Sequence, residues 1–519
     1  MRVSTFQVSV RYEIHPFVRR TAACLGGVSR RRGRKPSART GRGEFCAPSC
    51  NVSLRPRDVI GAVTFSTMNP SFLHSQRRWF GWALACSLVA ALPMPAATPA
   101  VREAVKARVD AEYPSIEAIY RDIHQHPELS FMETRTAGLL ATELRKAGFE
   151  VTEKVGNTGV VAVLKNGPGP TVLVRGDMDA LPLKETSGVS YASTAVVKDH
   201  LGREQPAMHA CAHDTHVTNL IGTARVLAAL KDQWSGTLVL VGQPAEEIVG
   251  GARAMLADGL YTRFPKPDYA LALHTYSQLP AGEIGYCEGA FLASVSSVDI
   301  LVRGVGGHGS APHTAKDPVV LAAQIVVALQ TIVSREVKPG DTAVVTVGTI
   351  HGGLKRNIIS EEVKLELTLR SFDDKVMEQL VASIRRICAG TAQAAGVPED
   401  RFPVVTVTAE SSAVTINDAA LTRRLAGVFT EWLGADRAKS TPATTGAEDF
   451  TYFGRTPEHV PICMWWVGGT APEKFAESKR TGVPVPSNHN PSFAPVPEPT
   501  LKAAVTSMTA AVLELLAKK

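Results

Sequence analysis

Apolar residues along this chain change their spacing twice, and the changes outline an architecture. From Val101 onward, segments with helical spacing alternate with short continuous apolar runs. Residues 114–125 and 134–148 carry apolar positions three or four apart, the period of a one-sided helix. The runs are Thr171 to Val174, Thr237 to Val241 and Tyr269 to Leu273. A run without alternation suits a strand covered on both faces, as in a mainly parallel sheet. Polar residues follow each run: Arg175-Gly176-Asp177, then Gln243-Pro244-Ala245-Glu246-Glu247, then His274. In an open α/β sheet ligands gather at the carboxyl ends of strands, so these tails are expected to converge.

Between residues 294 and 408 the period shortens to two. Val298, Ile300 and Val302 alternate with mostly polar or small residues, as do Val363, Leu365, Leu367 and Leu369. That is the mark of a sheet with one buried face. Asp317-Pro318 reads as a helix start, with Asp as cap and Pro at the first helical position. A second helix carries Val376, Leu380, Ile384 and Ile387 on one side. The order is strand 297–303, helix 317–333, strand 343–349, strand 363–370, helix 374–389 and strand 404–408. This is βαββαβ, a ferredoxin-like unit. Helices near 417–433 and 499–517 resume the α/β pattern. The expected fold class is therefore α/β, with residues 98–293 and 409–519 forming one domain and 294–408 inserted into it.

Charge changes the picture at the amino terminus. The chain carries a net +7, yet residues 1–97 hold 15 Lys and Arg against 3 Asp and Glu. The remainder is acidic by five charges, so the folded part gives no support to nucleic-acid binding. Arg77-Arg78 precedes a 14-residue apolar run, Trp79 to Leu92, and then Pro95-Ala96-Ala97. A positive, an apolar and a small-residue region in that order mark a secretory signal, and the run is short for a bilayer span. Residues 68–97 are expected to be a signal peptide that starts at Met68, and 1–67 an over-extended or disordered basic leader ahead of it. The mature chain is expected to be exported, periplasmic or secreted, with no stable membrane span. Cys211, Cys287, Cys388 and Cys463 lie too far apart for a disulfide scaffold.

Chemistry concentrates in a few places. Met208-His209-Ala210-Cys211-Ala212-His213-Asp214-Thr215-His216 packs three histidines and a cysteine ahead of an expected helix at 216–231. A thiolate and neutral imidazoles are ligands for divalent metals, although polar capping around a buried thiol would use the same residues. Glu246 and Glu247 repel each other at the end of a buried strand unless a cation compensates. One can hold metal while the other serves as general base, the division of labour of metal-assisted hydrolysis. His274 ends another buried run and His489 sits near the carboxyl terminus. With Cys211, His213 and Glu247 they make five candidate ligands, more than one tetrahedral zinc needs and enough for two bridged metals.

These residues resemble the M20 metallopeptidases, and most closely their amidohydrolase branch of hippurate, N-acyl-amino-acid and plant auxin-conjugate hydrolases. The likeness runs from His124 to the carboxyl terminus. Its motifs stand in order: His124 to Leu129, Arg175 to Pro182, Met208 to Asp214, Gln243 to Glu247, Leu273-His274, Gly306 to His313, Gly446 to Phe450 and His489-Asn490-Pro491. The resemblance implies a zinc-exopeptidase-like catalytic domain with an inserted lid that also dimerises. It implies two divalent ions per subunit, Zn²⁺ or Mn²⁺ ahead of Co²⁺ or Ni²⁺, on Cys211, His213, Glu247, His274 and His489. Glu246 would be the general base, with Asp179 orienting the centre. His308 would steady the substrate carbonyl across a homodimer, and Asn357 and Arg370 could hold a substrate carboxylate. The implied substrate is an N-acyl amino acid. A dipeptidase or carboxypeptidase is the alternative, and the rival from another class is a binding protein that has lost a ligand or the base. Two residues depart from the pattern: Ala212 replaces a Gly between Cys and His, and Ser360 replaces a common Pro.

Overall fold

A computed structural model of the chain describes residues 98–518. The expected leader and signal segment, residues 1–67 and 68–97, lie outside the described residues. Eight strands form one mixed sheet, in the order Glu150–Val155, Gly159–Asn166, Gly236–Gln243, Thr171–Asp177, Tyr269–Pro280, Ile462–Thr470, Ile284–Tyr286 and Ala438–Ser440. The four central strands, from Gly236–Gln243 to Ile462–Thr470, run parallel. Antiparallel pairs occur on both sides of them.

Both faces of the central strands are covered, which is why their apolar runs do not alternate. Val172, Val174, Leu238, Leu240, Leu271 and Leu273 face the helices Pro99–Gln125, His213–Ala229, Ala419–Leu433 and Pro497–Leu515. Leu173, Val239, Val241, Ala270 and Ala272 face the opposite way, toward Met255, Leu260, Phe450 and Phe453. The reading above did not single out Ile462–Thr470, although every one of its nine residues is buried.

The inserted unit has its own core. Its strands pair in the order Ala343–Gly352, Glu362–Ser371, Ser294–Arg303 and Val404–Ser412, all antiparallel. Helices Pro318–Thr331 and Asp374–Ala394 cover one face through Leu321, Ile325, Leu380 and Ile384 against Val298, Ile300 and Leu365. The Asp317 carboxylate accepts the Val319 amide at 2.8 Å, the cap that starts the first of these helices. Helical structure continues to Glu336, and Pro318–Glu336 is apolar and long enough to cross a membrane. Its Leu321, Ile325 and Leu329 side lies in the core of the unit, whereas Val319, Val320 and Val327 are exposed.

Several elements run longer than expected, and two of these differences move site residues. The helix expected from 216 begins at His213. The strand expected to stop before His274 continues to Pro280, so His274 sits within it, opposite Trp466. It continues because its later polar groups are paired: Thr470 Oγ1 donates to the Ser277 carbonyl, and Asn488 Oδ1 accepts the Ser277 amide.

Candidate functional site

The polar tails of the central strands meet at one end of the sheet. Cys211 is the meeting point. Its Sγ lies 3.5 Å from His274 Nε2 and 3.2 Å from His489 Nε2. Cys211, His213 and His274 form one group of potential ligand atoms; Cys211, Glu247 and His489 form another. The five residues proposed from the sequence thus come together, with the thiol common to both groups.

Their orientation is built in from outside. His213 Nδ1 donates to the Asp179 carbonyl at 2.8 Å, and His274 Nδ1 donates to the Thr275 carbonyl at 2.8 Å. Each ring therefore turns its Nε2 inward, the orientation that backbone acceptors impose on metal-binding histidines. His213 Nε2 and Glu247 Oε1 are buried with no hydrogen-bond partner, in a cluster otherwise dense with polar atoms. A buried orphan costs about 1–3 kcal/mol, and a cation between these atoms removes that cost.

Electrostatics points the same way. Burial, then the Glu247 charge, pushes the Cys211 thiol well above its usual range. Burial, then Glu448 and Glu247, raises Glu246 well above the ordinary carboxylate. Burial raises Glu247 to about 8 despite the opposing pull of His213. Burial lowers His274 and His489, which keeps both imidazoles neutral. Several acids driven together toward protonation are an anion cluster short of positive charge, which divalent metal supplies. The donor set fits two such ions.

Nearby carboxylates also approach these histidines but are already committed. Asp177 Oδ1 takes His216 Nδ1, and its Oδ2 takes Arg175 Nη1 at 2.6 Å. His216 Nε2 in turn accepts the Thr275 amide at 2.8 Å. Glu448 binds Arg175 at 2.7 Å and accepts the Phe450 amide. Asp177, His216 and Glu448 therefore frame the site rather than offer ligand atoms. All three lie in or beside the motifs quoted from the sequence, where no task is assigned to them. The signal available was a charged Arg175 and Asp177 directly after an apolar strand.

Asp179 holds the centre through the backbone. Its two oxygens accept the amides of Glu246 at 3.1 Å and Glu247 at 3.0 Å, and Ser130 Oγ donates at 2.7 Å. It is a positioning residue. Strain collects in the same place: Ala212, Ala245, Val249 and His489 all have φ between +50° and +67°. Left-handed backbone disfavours any residue with a Cβ, and its concentration around one cluster is typical of functional loops.

Three residues belong to the inserted unit. Arg370 lines the cleft with Cys211, Glu246, Glu247, His274 and His489, in a cavity of about 520 Å³. Its guanidinium is bonded to Thr368 Oγ1 and the Leu369 carbonyl, neither of which is an acid. His308 and Asn357 are elsewhere. They are exposed beside each other, where His308 pairs with Ile358 in a two-stranded ribbon and the Gly309 amide donates to the Asn357 carbonyl. Neither lines the cleft.

An α/β cleft with five convergent donors and an adjacent second carboxylate is the site of a metal-dependent hydrolase. The chain belongs to peptidase family M20/M25/M40, whose model matches residues 173–494. It is similar to the hippurate hydrolase of Campylobacter jejuni, 42% identical over 54% of this chain and 70% of that protein. It is also similar to thermostable carboxypeptidase 2 of Saccharolobus solfataricus, 37% identical over 64% and 81%. Among solved structures, the YXEP protein of Bacillus subtilis, described as a dinuclear metal-binding M20 peptidase, matches with TM-score 0.63. That likeness spans 78% of this chain and 99% of that one, at 27% identity.

Proposed function

We propose that the protein hydrolyses the amide bond of N-acyl amino acids with two divalent metal ions. The observation that carries this is Cys211 standing between two donor groups that include the orphaned His213 Nε2 and Glu247 Oε1. His213 and His274 would share one ion with the Cys211 thiolate, and Glu247 and His489 the other. When bound, the ions polarise the amide carbonyl and acidify a water. The mixed thiolate, imidazole and carboxylate set suits Zn²⁺, and the family resemblance adds Mn²⁺ ahead of Co²⁺ or Ni²⁺.

Glu246 keeps its carboxylate out of the donor groups centred on Cys211 and serves as base. It takes the proton of the attacking water and returns it to the leaving amine, a transfer worth roughly 10²–10⁴-fold in rate. Arg370, a half-buried cation on the cleft wall without an acid partner, receives the substrate carboxylate. Hippurate hydrolase and a carboxypeptidase have that demand in common, since each releases an amino acid with a free α-carboxylate. A peptide substrate is therefore the second reading, differing only on the acyl side.

His308 and Asn357 reach a cleft by hinge motion or from a second subunit. The exposed Val319, Val320 and Val327, with Ile350 on the sheet edge, favour a homodimer through the inserted unit. Export rests on the Arg77-Arg78 and Trp79–Leu92 pattern alone. Metal analysis of the purified chain and of Cys211→Ser tests the central reading. The expected result is about two ions per wild-type chain and a clear loss in the variant, because an alcohol stays protonated where a thiolate binds. Equal stoichiometry in both would remove Cys211 from the ligand set.

A further inference from the structure

On the far side of the Glu246–Glu247 loop from Arg370 lies a second cavity, of about 840 Å³. Glu247, Val249 and Glu410 line both this cavity and the metal cleft, so the two adjoin at these residues. Its floor is apolar: Leu129, Phe131, Met132, Leu181, Pro182 and Ile248. Ile248 is 41% exposed there, an unusual exposure for a large aliphatic side chain one residue from a buried carboxylate.

The walls are held in place rather than left as a gap between loops. Phe131 has φ +61° and Val249 φ +56°, conformations that a bulky and a β-branched residue seldom adopt. One oxygen of the buried Glu133 carboxylate accepts both the Phe131 amide and the Ala245 amide, each at 2.8 Å. That carboxylate ties the Phe131 turn to the loop bearing Glu246 and Glu247. The Phe131 ring also lies against Gly250, where an added Cβ would meet it at 3.3 Å. Both arginines at the rim are engaged. Arg203 pairs with Asp199 at 2.7 Å, and Arg253 donates to the carbonyls of Val249 and Ala409 at 2.8 Å.

We infer that this cavity is the acyl pocket and that it selects neutral medium-chain or aromatic acyl groups over acetyl. The inference rests on the amidohydrolase reading. With the carboxylate end at Arg370 and the scissile amide over the donor cluster, the acyl group has the adjoining apolar cavity as its way out. A volume of this size is typical of sites for whole drug-sized ligands, far more than a methyl group uses. Asp199, Glu247 and Glu410 outnumber the two arginines in the lining, which disfavours a dicarboxylic acyl group. Met132, on a turn outside the metal cleft, sets the depth.

The test compares N-acetyl-, N-butanoyl-, N-octanoyl-, N-benzoyl- and N-succinyl-glycine on the metal-loaded wild type, Met132→Trp and Met132→Ala. In the wild type kcat/KM should climb about fourfold per methylene from acetyl until the pocket fills, with benzoyl also favoured and succinyl below butanoyl. Met132→Trp should cut the octanoyl-to-acetyl ratio at least tenfold, and Met132→Ala should move the optimum to a longer chain. A flat chain-length profile, or a ratio unmoved in both variants, overturns the acyl pocket while leaving the amidohydrolase intact. Calorimetric titration with N-octanoyl-glycine separates the two readings. Tight binding that Met132→Trp weakens at least tenfold, without hydrolysis of any substrate, keeps the pocket and overturns the proposed function. Neither binding nor hydrolysis overturns both.

Discussion

Two buried charged clusters lie side by side at the carboxyl ends of the same strands, and they are opposite in kind. Around Arg175 the polar side-chain atoms are paired, although burial and then Glu448 push Asp449 up to about 8: the guanidinium, with side-chain exposure of 0%, meets Asp177, Glu448, Asp449 and Gln243. Around Cys211 they are not: His213 Nε2 and Glu247 Oε1 are orphans, and the thiol and both glutamates are driven toward protonation. A closed network fixes geometry. An open one is where a ligand belongs. The same depth of burial serves scaffold in one case and chemistry in the other, and the difference is read from partners rather than residue types.

Substitutions on the two sides should separate stability from activity. The largest effect belongs to Glu246→Gln, expected to lower kcat by roughly 10²–10⁴-fold with metal content and melting temperature unchanged. Activity within tenfold of wild type at full metal occupancy would assign the base elsewhere. On the closed side, Arg175→Met leaves three buried carboxylates facing one another and should cost about 3–5 kcal/mol in denaturant unfolding. A cost under about 1 kcal/mol would mean the network is not the scaffold described here.

His124 extends the closed side, with Nδ1 on Asp214 at 2.6 Å and Nε2 on Glu185 at 3.1 Å. Burial alone would lower its pKa, but those two carboxylates prevail and raise it to about 9. A raised histidine stabilises the fold fully below its unfolded value near 6.5, and that contribution fades as pH climbs through about 9. Melting curves from pH 6.5 to 10 should therefore fall more steeply for wild type than for His124→Gln, by an amount on the order of 2 kcal/mol. Parallel curves would leave the imidazole neutral in the native state. The smallest effect is at Ala212, whose φ of +67° realises the cost its Cβ implied. Ala212→Gly should stabilise by about 0.5–1 kcal/mol, the left-handed penalty less the entropy glycine loses on folding. Destabilisation would show the methyl packing to be worth more than the strain.

Much of the site could be read from the chain because its chemistry is local. Cys211 and His213 are two apart, Glu246 and Glu247 adjacent, and each group follows a strand whose burial leaves an unbroken apolar run. His489, 278 residues from Cys211, is a candidate by residue type alone, with no local spacing that ties it to the others. Asp177, His216 and Glu448 were passed over as actors because their partners come from different strands and loops. The inserted unit was legible because period two and capped helices are written in short windows, as with Asp317 and Val319.

The sequence by itself therefore determined element types, the insertion of one unit in another, and most of the candidate donor residues, since these are written in spacing within a few positions. Tertiary structure alone decided which charges close on one another and which stay open. It placed Arg370 on the cleft wall and left His308 and Asn357 outside, and it opened an apolar cavity behind Glu247. Those outcomes depend on distances between segments hundreds of residues apart, and only the packed sheet and its loops set them.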